Sequence, residues 1–263
     1  MPKYINKLEG KRVLIVGGTS GIGFGVAEAC VEYGAIVTVA SSQQTKVTAA
    51  VDRLKAAYPE SADKITGKTC DLSADNMEEN IKNLYDFATS NGAHKLDHVV
   101  DTAGDLHNMN QKLAAVTYTP DPKYGRVRYF GPMMLAKYAL EYMNSSPESS
   151  FTLTSGVMAH KPREGLSAII GLASAKECMS RALAVDMKPI RVNTVSPGAI
   201  KTEMWDMFGD EKAVAGMIQL FKSKTLTGTI GLPEDTAESY LYCMKNHFLT
   251  GRTLHAEGGF LLV

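Results

Sequence analysis

Three glycines near the start of the chain have the spacing of a phosphate-binding turn. Gly17, Gly21 and Gly23 follow the apolar run Arg12–Gly17 and lead into the amphipathic segment Ile22–Tyr33. Between a strand and a helix, such glycines permit a tight turn and let the backbone approach a pyrophosphate, whose charge the helix N-terminus stabilises. We therefore predict a dinucleotide site. Its predicted contacts in this turn are Gly17, Thr19, Ser20, Gly21, Ile22 and Gly23.

The residues after the second strand-like run indicate which dinucleotide binds. An NAD-selective site usually places Asp or Glu there, where the carboxylate holds the ribose hydroxyls. This chain has Ser41 and Ser42 instead, followed by Lys46. No carboxylate repels a 2′-phosphate, and two hydroxyls with an ammonium can bind one. We predict NADP(H), with Ser41 and Ser42 as contacts; because no Arg accompanies them, NAD(H) stays the alternative.

The composition excludes several kinds of partner. Lys+Arg and Asp+Glu balance at 28 each in 263 residues, so no overall charge attracts nucleic acid or a membrane surface. No apolar run approaches the roughly 20 residues of a membrane helix, and the N-terminus lacks a signal-peptide core. The four cysteines have no metal-ligand spacing and are predicted to be buried free thiols. We predict a cytoplasmic protein without a metal.

Strand-like apolar runs alternate with helix-length amphipathic segments, which predicts a doubly wound parallel sheet. The fold class is α/β, Rossmann-type, with three α/β/α layers in a single domain over residues 1–263. The predicted strands are Arg12–Gly17, Ala35–Ala40, Lys64–Asp71, His98–Thr102, Ser150–Ser155, Ile190–Ser196 and Thr250–Ala256. The predicted helices are Ile22–Tyr33, Gln44–Ala57, Asn76–Ser90, a long helix ending near Met143, and Ala173–Met187.

Two regions break this alternation. Asp105–Arg126 is long for a connection between a strand and a helix, and such loops usually carry function or disorder. Lys201–Lys224 holds the only tryptophan, Trp205, among several Met and Phe residues. We predict a substrate lid at about residues 201–224; an ordinary helical segment packed on the surface is the alternative.

Motifs along nearly the whole chain resemble those of short-chain dehydrogenases/reductases. The glycine turn matches the family's nucleotide-binding glycines. Asp71-Leu72 matches the pair that holds the adenine, and residues 101–104 match the family's Asn-Asn-Ala-Gly segment with both Asn replaced. Residues 191–193 and 196–198 match the stretch that leads into the nicotinamide pocket. The resemblance implies cofactor contacts from Asp71, Leu72, Thr102, Ala103, Gly104, Lys176, Pro197, Gly198, Ile200 and Thr202.

The family's catalytic residues are Asn, Ser, Tyr and Lys. The resemblance puts Arg128 at the Asn position, Ser155 at the Ser position and Lys176 at the Lys position. Leu172 occupies the position of the Tyr, which normally handles the proton on the substrate oxygen. No Tyr occurs between residues 142 and 240, so a shift of register does not restore one.

Arg128, Ser155 and Lys176 are the predicted catalytic residues. The resemblance implies that Lys176 hydrogen-bonds to the nicotinamide ribose; a solvated helix Lys is the alternative. Ser155 is expected to bind substrate, or else to bond to the backbone. Arg128 can clamp an anionic or carbonyl group, or form a structural ion pair. Pro132 lacks the N–H that would bond to the Arg128 carbonyl, which predicts a kink of the helix there.

Other side chains could supply a proton in place of the Tyr. They lie on loops expected near the carboxyl ends of the strands, where ligands bind in such sheets. Each is also a common turn or capping residue. These candidates are Asp105, Asp121, His160 and Glu164, together with Tyr118, Tyr124 and Tyr129.

Within the family, the chain resembles a divergent group of fungal reductases of secondary metabolism. Residues 97–105, 120–124 and 128–132 carry this likeness. The group includes bifunctional enzymes that reduce an iminium with NADPH and then guide the Diels–Alder closure of an indole alkaloid. Reduction of C=N⁺ needs hydride but no proton on oxygen, which agrees with Leu172. An Asp and a Trp near the substrate loop matter in that group, and residues 161–167 contain neither.

The predicted function is an NADP(H)-dependent oxidoreductase. Its substrate would be an iminium, an imine, or an activated C=C or C=O of a small hydrophobic metabolite. One alternative is a cyclase that keeps NADP as a shaped surface, and another is a catalytically dead nucleotide-binding scaffold. The resemblance also implies a homo-oligomer, a dimer or a tetramer.

Overall fold

A computed structural model describes residues 3–105, 112–116 and 125–263. Its sheet has seven strands in the order β3-β2-β1-β4-β5-β6-β7, and every adjacent pair is parallel. The strands are β1 Arg12–Val16, β2 Ile36–Ser41, β3 Ile65–Thr69, β4 His98–Asp101, β5 Ser150–Thr154, β6 Arg191–Pro197 and β7 Thr253–Ala256. The order reverses between β1 and β4, and ligands bind at such a point in doubly wound sheets.

Helices cover both faces of the sheet. They are α1 Gly21–Glu32, α2 Gln44–Ala57, α3 Met77–Thr89, α4 Gly131–Tyr142, α5 Ser167–Asp186, α6 Glu211–Lys222 and α7 Pro233–Lys245. One apolar core lies under α3, α4 and α5, and a second lies under α1, α2 and α7. These three layers confirm the predicted fold class. No helix in the described ranges combines the length and the hydropathy needed to cross a bilayer.

The central strands are buried on both faces, which is why their sequences are continuous apolar runs. One polar side chain on these strands, His98, has a partner on the neighbouring strand. His98 Nδ1 lies 2.9 Å from Ser150 Oγ on the neighbouring strand. Burial, together with the charges of Arg191 and Lys11, lowers the pKa of His98 to about 3. His98 is therefore neutral in the folded protein near neutral pH.

Several predicted boundaries differ from the structure. Helix α5 begins at Ser167 rather than Ala173. Strand β3 is shorter than predicted at both ends: a 3₁₀ helix occupies Pro59–Lys64 just before it, and the strand ends at Thr69 rather than Asp71. Helix α7 was not predicted, although Pro233 at its first turn and the Asp235 carboxylate, which accepts from the Leu232 N–H at 2.8 Å, are ordinary start signals.

The prediction of buried thiols is correct for three cysteines and wrong for the fourth. Cys30, Cys70 and Cys243 are buried, whereas Cys178 is exposed. Its neighbours Glu177 and Met179 are buried on the inner face of α5. Cys178 points the other way, and Arg181 one turn later donates to its sulfur at 3.0 Å.

Candidate active site

A cavity of about 870 Å³ opens at the carboxyl ends of the strands. The predicted cofactor contacts line it, with the exception of Lys176. The lining includes Gly17, Thr19, Ser20, Gly21, Ile22, Gly23, Ser41, Ser42, Asp71, Leu72, Thr102, Ala103, Gly104, Pro197, Gly198, Ile200 and Thr202. The topology therefore brings together residues from the carboxyl ends of five strands at one edge of the sheet.

The glycine turn is shaped by contacts that leave no space for side chains. Gly17 has φ +82°, and a Cβ there would lie 2.7 Å from Thr102 Oγ1. A Cβ on Gly23 would lie 2.3 Å from the Gly17 carbonyl oxygen, so α1 starts directly against the turn. The Thr102 hydroxyl donates to the Val16 carbonyl at 3.0 Å and ties the ends of β1 and β4 together. The helix N-terminus thus faces the cavity, as a pyrophosphate site requires.

A second polar region lies where β2 and β3 end. Ser41, Ser42 and Lys46 all line the cavity, and residues 40–46 contain no Asp or Glu. Asp71, after β3, accepts hydrogen bonds from the Ser73 backbone N–H at 2.8 Å and from its hydroxyl at 2.7 Å. This end of the cavity combines hydroxyls, one ammonium and one fixed carboxylate.

Lys176 lies behind the cavity wall rather than in it. Its side chain on α5 is only 1% exposed, and Nζ lies 2.7 Å from Asp101 Oδ2 and 3.3 Å from the Ala103 carbonyl oxygen. Asp101 itself is fully buried at the end of β4. A carboxylate supplies the counter-ion that a buried ammonium requires, and the family's Asn could not. The predicted contact of Lys176 with the nicotinamide ribose stays a prediction.

Arg128 faces the cavity as one half of an ion pair. Its Nε lies 2.8 Å from Asp105 Oδ1, Nη2 also donates to the Asp105 carbonyl, and both side chains are part-buried. Arg128 belongs to a π-helical turn, Arg126–Phe130, which ends just before Pro132 at the start of α4. The helix thus departs from α-helical geometry where the kink was predicted, and the kink itself stays a prediction. Both roles considered for Arg128 are open to it, because the paired guanidinium still lines the cavity.

Ser155 lines the cavity and is bonded to a carboxylate that the sequence analysis missed. Its Oγ donates to Glu177 Oε1 at 2.8 Å. His160 Nε2 lies 2.9 Å from the other carboxylate oxygen of Glu177, which is nearly buried. The available signal was a carboxylate directly after Lys176, on the helix face that packs against the sheet. The three side chains form one hydrogen-bonded cluster, here called the Ser155–Glu177–His160 cluster.

The segment Lys201–Lys224 forms an apolar part of the cavity wall. Trp205 is 8% exposed, and its ring centroid lies 5.6 Å from that of Phe221 on α6. Other apolar lining residues are Met204, Met217, Val157, Met158, Ile169, Ile170 and Phe260. The segment thus forms part of the cavity wall, and its role as a lid stays a prediction.

The remaining proton-donor candidates differ in where they lie. Tyr129 is not part of the cavity lining; it packs edge-on against Phe130 at 5.2 Å between ring centroids. Glu164 is exposed, and its Oε1 lies 3.9 Å from Lys112 Nζ. Asp105 and His160 belong to the ion pair and the cluster already described. The candidates Tyr118, Asp121 and Tyr124 lie outside the described residues, as does the segment 120–124.

The strand order, the glycine turn and the polar residues around the cavity define a dinucleotide-binding enzyme of the doubly wound class. The family model of the SDR-like Rossmann domain matches residues 4–263. The chain therefore belongs to the short-chain dehydrogenase/reductase family. The predicted family, and with it the prediction of an enzyme, is confirmed.

Several similar proteins come from fungi. The short-chain dehydrogenase/reductase malC of Malbranchea aurantiaca is 44% identical over 260 residues, which cover 97% of this chain and 96% of the relative. The short-chain dehydrogenase/reductase ucsE of an Acremonium species is 42% identical, with 98% and 97% covered. The solved structure of the MalC reductase/Diels-Alderase of M. aurantiaca superposes with a TM-score of 0.90 and 42% identity, over 98% of this chain and 99% of that one. These relatives confirm the predicted likeness to the fungal group.

Proposed function

We propose that the protein is an NADP(H)-dependent reductase whose substrate is a hydrophobic metabolite with an iminium, an imine or an activated carbonyl group. One observation carries the proposal. The residue four before Lys176 is Leu172, whose side chain has no proton to donate, while the nucleotide cradle and the polar groups around the cavity are present. A substrate that accepts hydride without a proton on oxygen fits such a site.

The choice of NADP(H) rests on the end of β2. The hydroxyls of Ser41 and Ser42 and the ammonium of Lys46 lie along one wall, without a carboxylate in residues 40–46. This arrangement favours an adenosine ribose that carries a 2′-phosphate. The glycine turn would hold the pyrophosphate, Asp71 and Leu72 the adenine, and residues 197–202 the nicotinamide. When bound, the cofactor supplies the hydride.

The protein's own residues contribute position and shape. The polar groups at the substrate end include the Arg128–Asp105 pair, Ser155 and Arg163, and Trp205 and its apolar neighbours exclude water. Orientation of this kind can contribute several kcal/mol, on the order of 7–11 kcal/mol in well-oriented reactions. The apolar wall supports a hydrophobic substrate.

Cyclisation is a second candidate activity. One relative is named a reductase/Diels-Alderase, and the apolar wall could fold a flexible substrate for ring closure. Residues 161–167 lack the Asp and the Trp expected for that activity from the resemblance. Hydride transfer therefore ranks first.

The test measures whether hydride passes from the nicotinamide to a substrate. NADPH deuterated at C4, with each face labelled in separate runs, is mixed with the protein and a panel of cyclic imines, iminium salts and ketones, and the products are analysed by mass spectrometry. Transfer of label from one face to a C=N or C=O carbon is expected. Tight NADPH binding without any transfer across the panel, together with accelerated ring closure of a diene–dienophile substrate, would favour the cyclase instead.

A further inference from the structure

We propose that Glu177 makes Ser155 a hydrogen-bond acceptor toward the substrate, so that the site selects a protonated imine over a carbonyl of the same shape. The inference rests on the proposed reductase function and names the substrate class of that site. In this role Glu177 is a positioning residue, because it acts through Ser155 and does not itself line the cavity.

The hydrogen-bond directions carry the argument. Ser155 Oγ has two acceptors within reach of its single proton, Glu177 Oε1 at 2.8 Å and the Ala173 carbonyl oxygen at 3.4 Å, and the shorter contact is with the carboxylate. A hydroxyl has one proton and two lone pairs, so an oxygen that donates to a carboxylate offers lone pairs to any other neighbour. Since Ser155 lines the cavity, it presents an acceptor there. A protonated imine has an N–H to donate, and a carbonyl oxygen has none.

The charges at this end of the cavity also favour a cationic substrate. Two carboxylates have permanent cations as partners, since Asp105 pairs with Arg128 and Asp101 pairs with Lys176. In the described part of the chain, the ion-pair partner of Glu177 is His160, which is charged only when protonated. When His160 is not protonated, the Glu177 carboxylate leaves a negative charge behind Ser155; Arg163, a further cation in the cavity lining, is exposed, and solvent screens its charge. In a largely buried setting such a charge stabilises a nearby cation more than it would in water.

This arrangement matches the reduction of a protonated imine. The imine carbon accepts hydride, the C=N π electrons become a lone pair on nitrogen, and the neutral amine forms without a further proton. NADPH is oxidised to NADP⁺, and charge balances because the cationic substrate becomes neutral. A ketone would need a proton at its oxygen, but the Ser155 proton is held by Glu177 and Leu172 has none.

The test compares two bicyclic probes of similar size, dihydroisoquinolinium and tetralone. Glu177→Gln keeps the shape of the side chain and removes its charge, and Ser155→Ala removes the acceptor. Glu141→Gln, on the exposed side of α4, is the matched control. The kcat/KM ratio of imine to ketone is expected to fall by about tenfold or more in both site variants, as for the loss of a hydrogen bond to a charged group. The control should keep the wild-type ratio, and Glu177→Asp should recover part of it.

A binding measurement adds a readout that does not depend on turnover. Calorimetry on the NADP⁺ complex compares tetrahydroisoquinolinium, a cation, with neutral tetralin. We expect wild type to prefer the cation and Glu177→Gln to lose that preference. If Glu177→Gln does not fold, Ser155→Ala and Glu177→Asp decide the question.

The outcomes separate this inference from the proposed function. Suppose that the wild type is active and that Glu177→Gln keeps the wild-type imine-to-ketone ratio and cation preference. That result would overturn the role of Glu177 and leave the proposed reductase function intact. A wild type that transfers no hydride would overturn the reductase. In that case the binding comparison still decides whether Glu177 selects a cation.

Discussion

The ammonium of Lys176 lies 2.7 Å from the carboxylate of Asp101, at a point where neither side chain reaches solvent. Each charge is stable there only because the other is present. Removal of one partner from a buried pair typically costs about 3–5 kcal/mol, because the remaining charge has no compensation. The pair therefore ties the middle of α5 to the end of β4, directly beside the cavity.

Lys176→Met should lower the free energy of unfolding by about 3–5 kcal/mol, since it leaves the Asp101 carboxylate buried alone. Adding Asp101→Asn should restore much of that loss. Urea denaturation of the two single variants, the double variant and wild type measures the coupling. If the losses of the single variants simply add in the double variant, the pair does not stabilise the fold in this way.

The double variant also isolates the catalytic role predicted for Lys176. A loss of hydride transfer in Lys176→Met alone could reflect a disturbed fold. A double variant that folds but transfers hydride poorly would support a contact between Lys176 and the nicotinamide ribose. Turnover at the wild-type rate would mean that Lys176 is needed for structure alone.

Gly17→Ala should abolish NADPH binding, because the added Cβ would lie 2.7 Å from Thr102 Oγ1 and force the turn open. Gly10→Ala is the matched control. Gly10 has φ +68°, and a Cβ there meets no described atom within 4 Å. Both variants carry the strain of a left-handed residue, about 1 kcal/mol, but only the first disturbs the cradle. Titration with NADPH checks this, and equal affinities in the two variants would contradict it.

Ser41→Asp should invert the cofactor preference. A carboxylate at the end of β2 repels a 2′-phosphate and can hold the two ribose hydroxyls of NADH. The ratio of the dissociation constants for NADPH and NADH is the measurement, and a change of about tenfold or more is expected for an added charge repulsion. Ser145→Asp is a control that adds the same charge at an exposed position outside the cavity lining. An unchanged NADPH affinity in Ser41→Asp would argue against the assignment.

His98 should make the protein less stable in acid. Its folded pKa, about 3, lies below the ordinary value of 6.5, because burial disfavours the charged ring. Below pH 6.5 the unfolded chain binds a proton that the folded protein does not. Stability is therefore lost as pH falls from 6.5 toward 3, by about 1.4 kcal/mol for each pH unit from this group.

The pH dependence of urea unfolding checks the role of His98. His98→Asn keeps an amide near Ser150 and removes the titration, so its free energy of unfolding should change less steeply across this range. His94→Asn, at an exposed position, should keep the wild-type slope. Parallel curves for all three proteins would show that other groups cause the acid instability.

The parts of the fold that could be predicted are those encoded by a pattern within a short stretch of the sequence. A continuous apolar run encodes strand β1. The turn after it is encoded by glycines at positions where a side chain would not fit. Helix α7 was missed because it follows an irregular stretch and its apolar face becomes evident only against α1. The start of α5 was set too late, since nothing in residues 167–172 stands out by composition.

The sequence predicted which residues lie at the site, but not which of their side chains hydrogen-bond to each other. Gly17, Ser41 and Ser155 follow strands, and strand ends meet at one edge of a parallel sheet. The bond from Lys176 to Asp101 joins residues 75 positions apart, and the bond from Ser155 to Glu177 spans 22. Such pairs depend on how α5 packs against the sheet, which no local pattern contains.

Trp205 is an intrinsic fluorophore at the cavity wall. It is the single tryptophan of the chain, and its indole forms part of the cavity wall. Reduced nicotinamide absorbs light in the range where indole emits, so a bound dinucleotide should quench the tryptophan emission and take up its energy. Occupancy of the cavity can therefore be followed by fluorescence in real time, without a dye or a coupled assay.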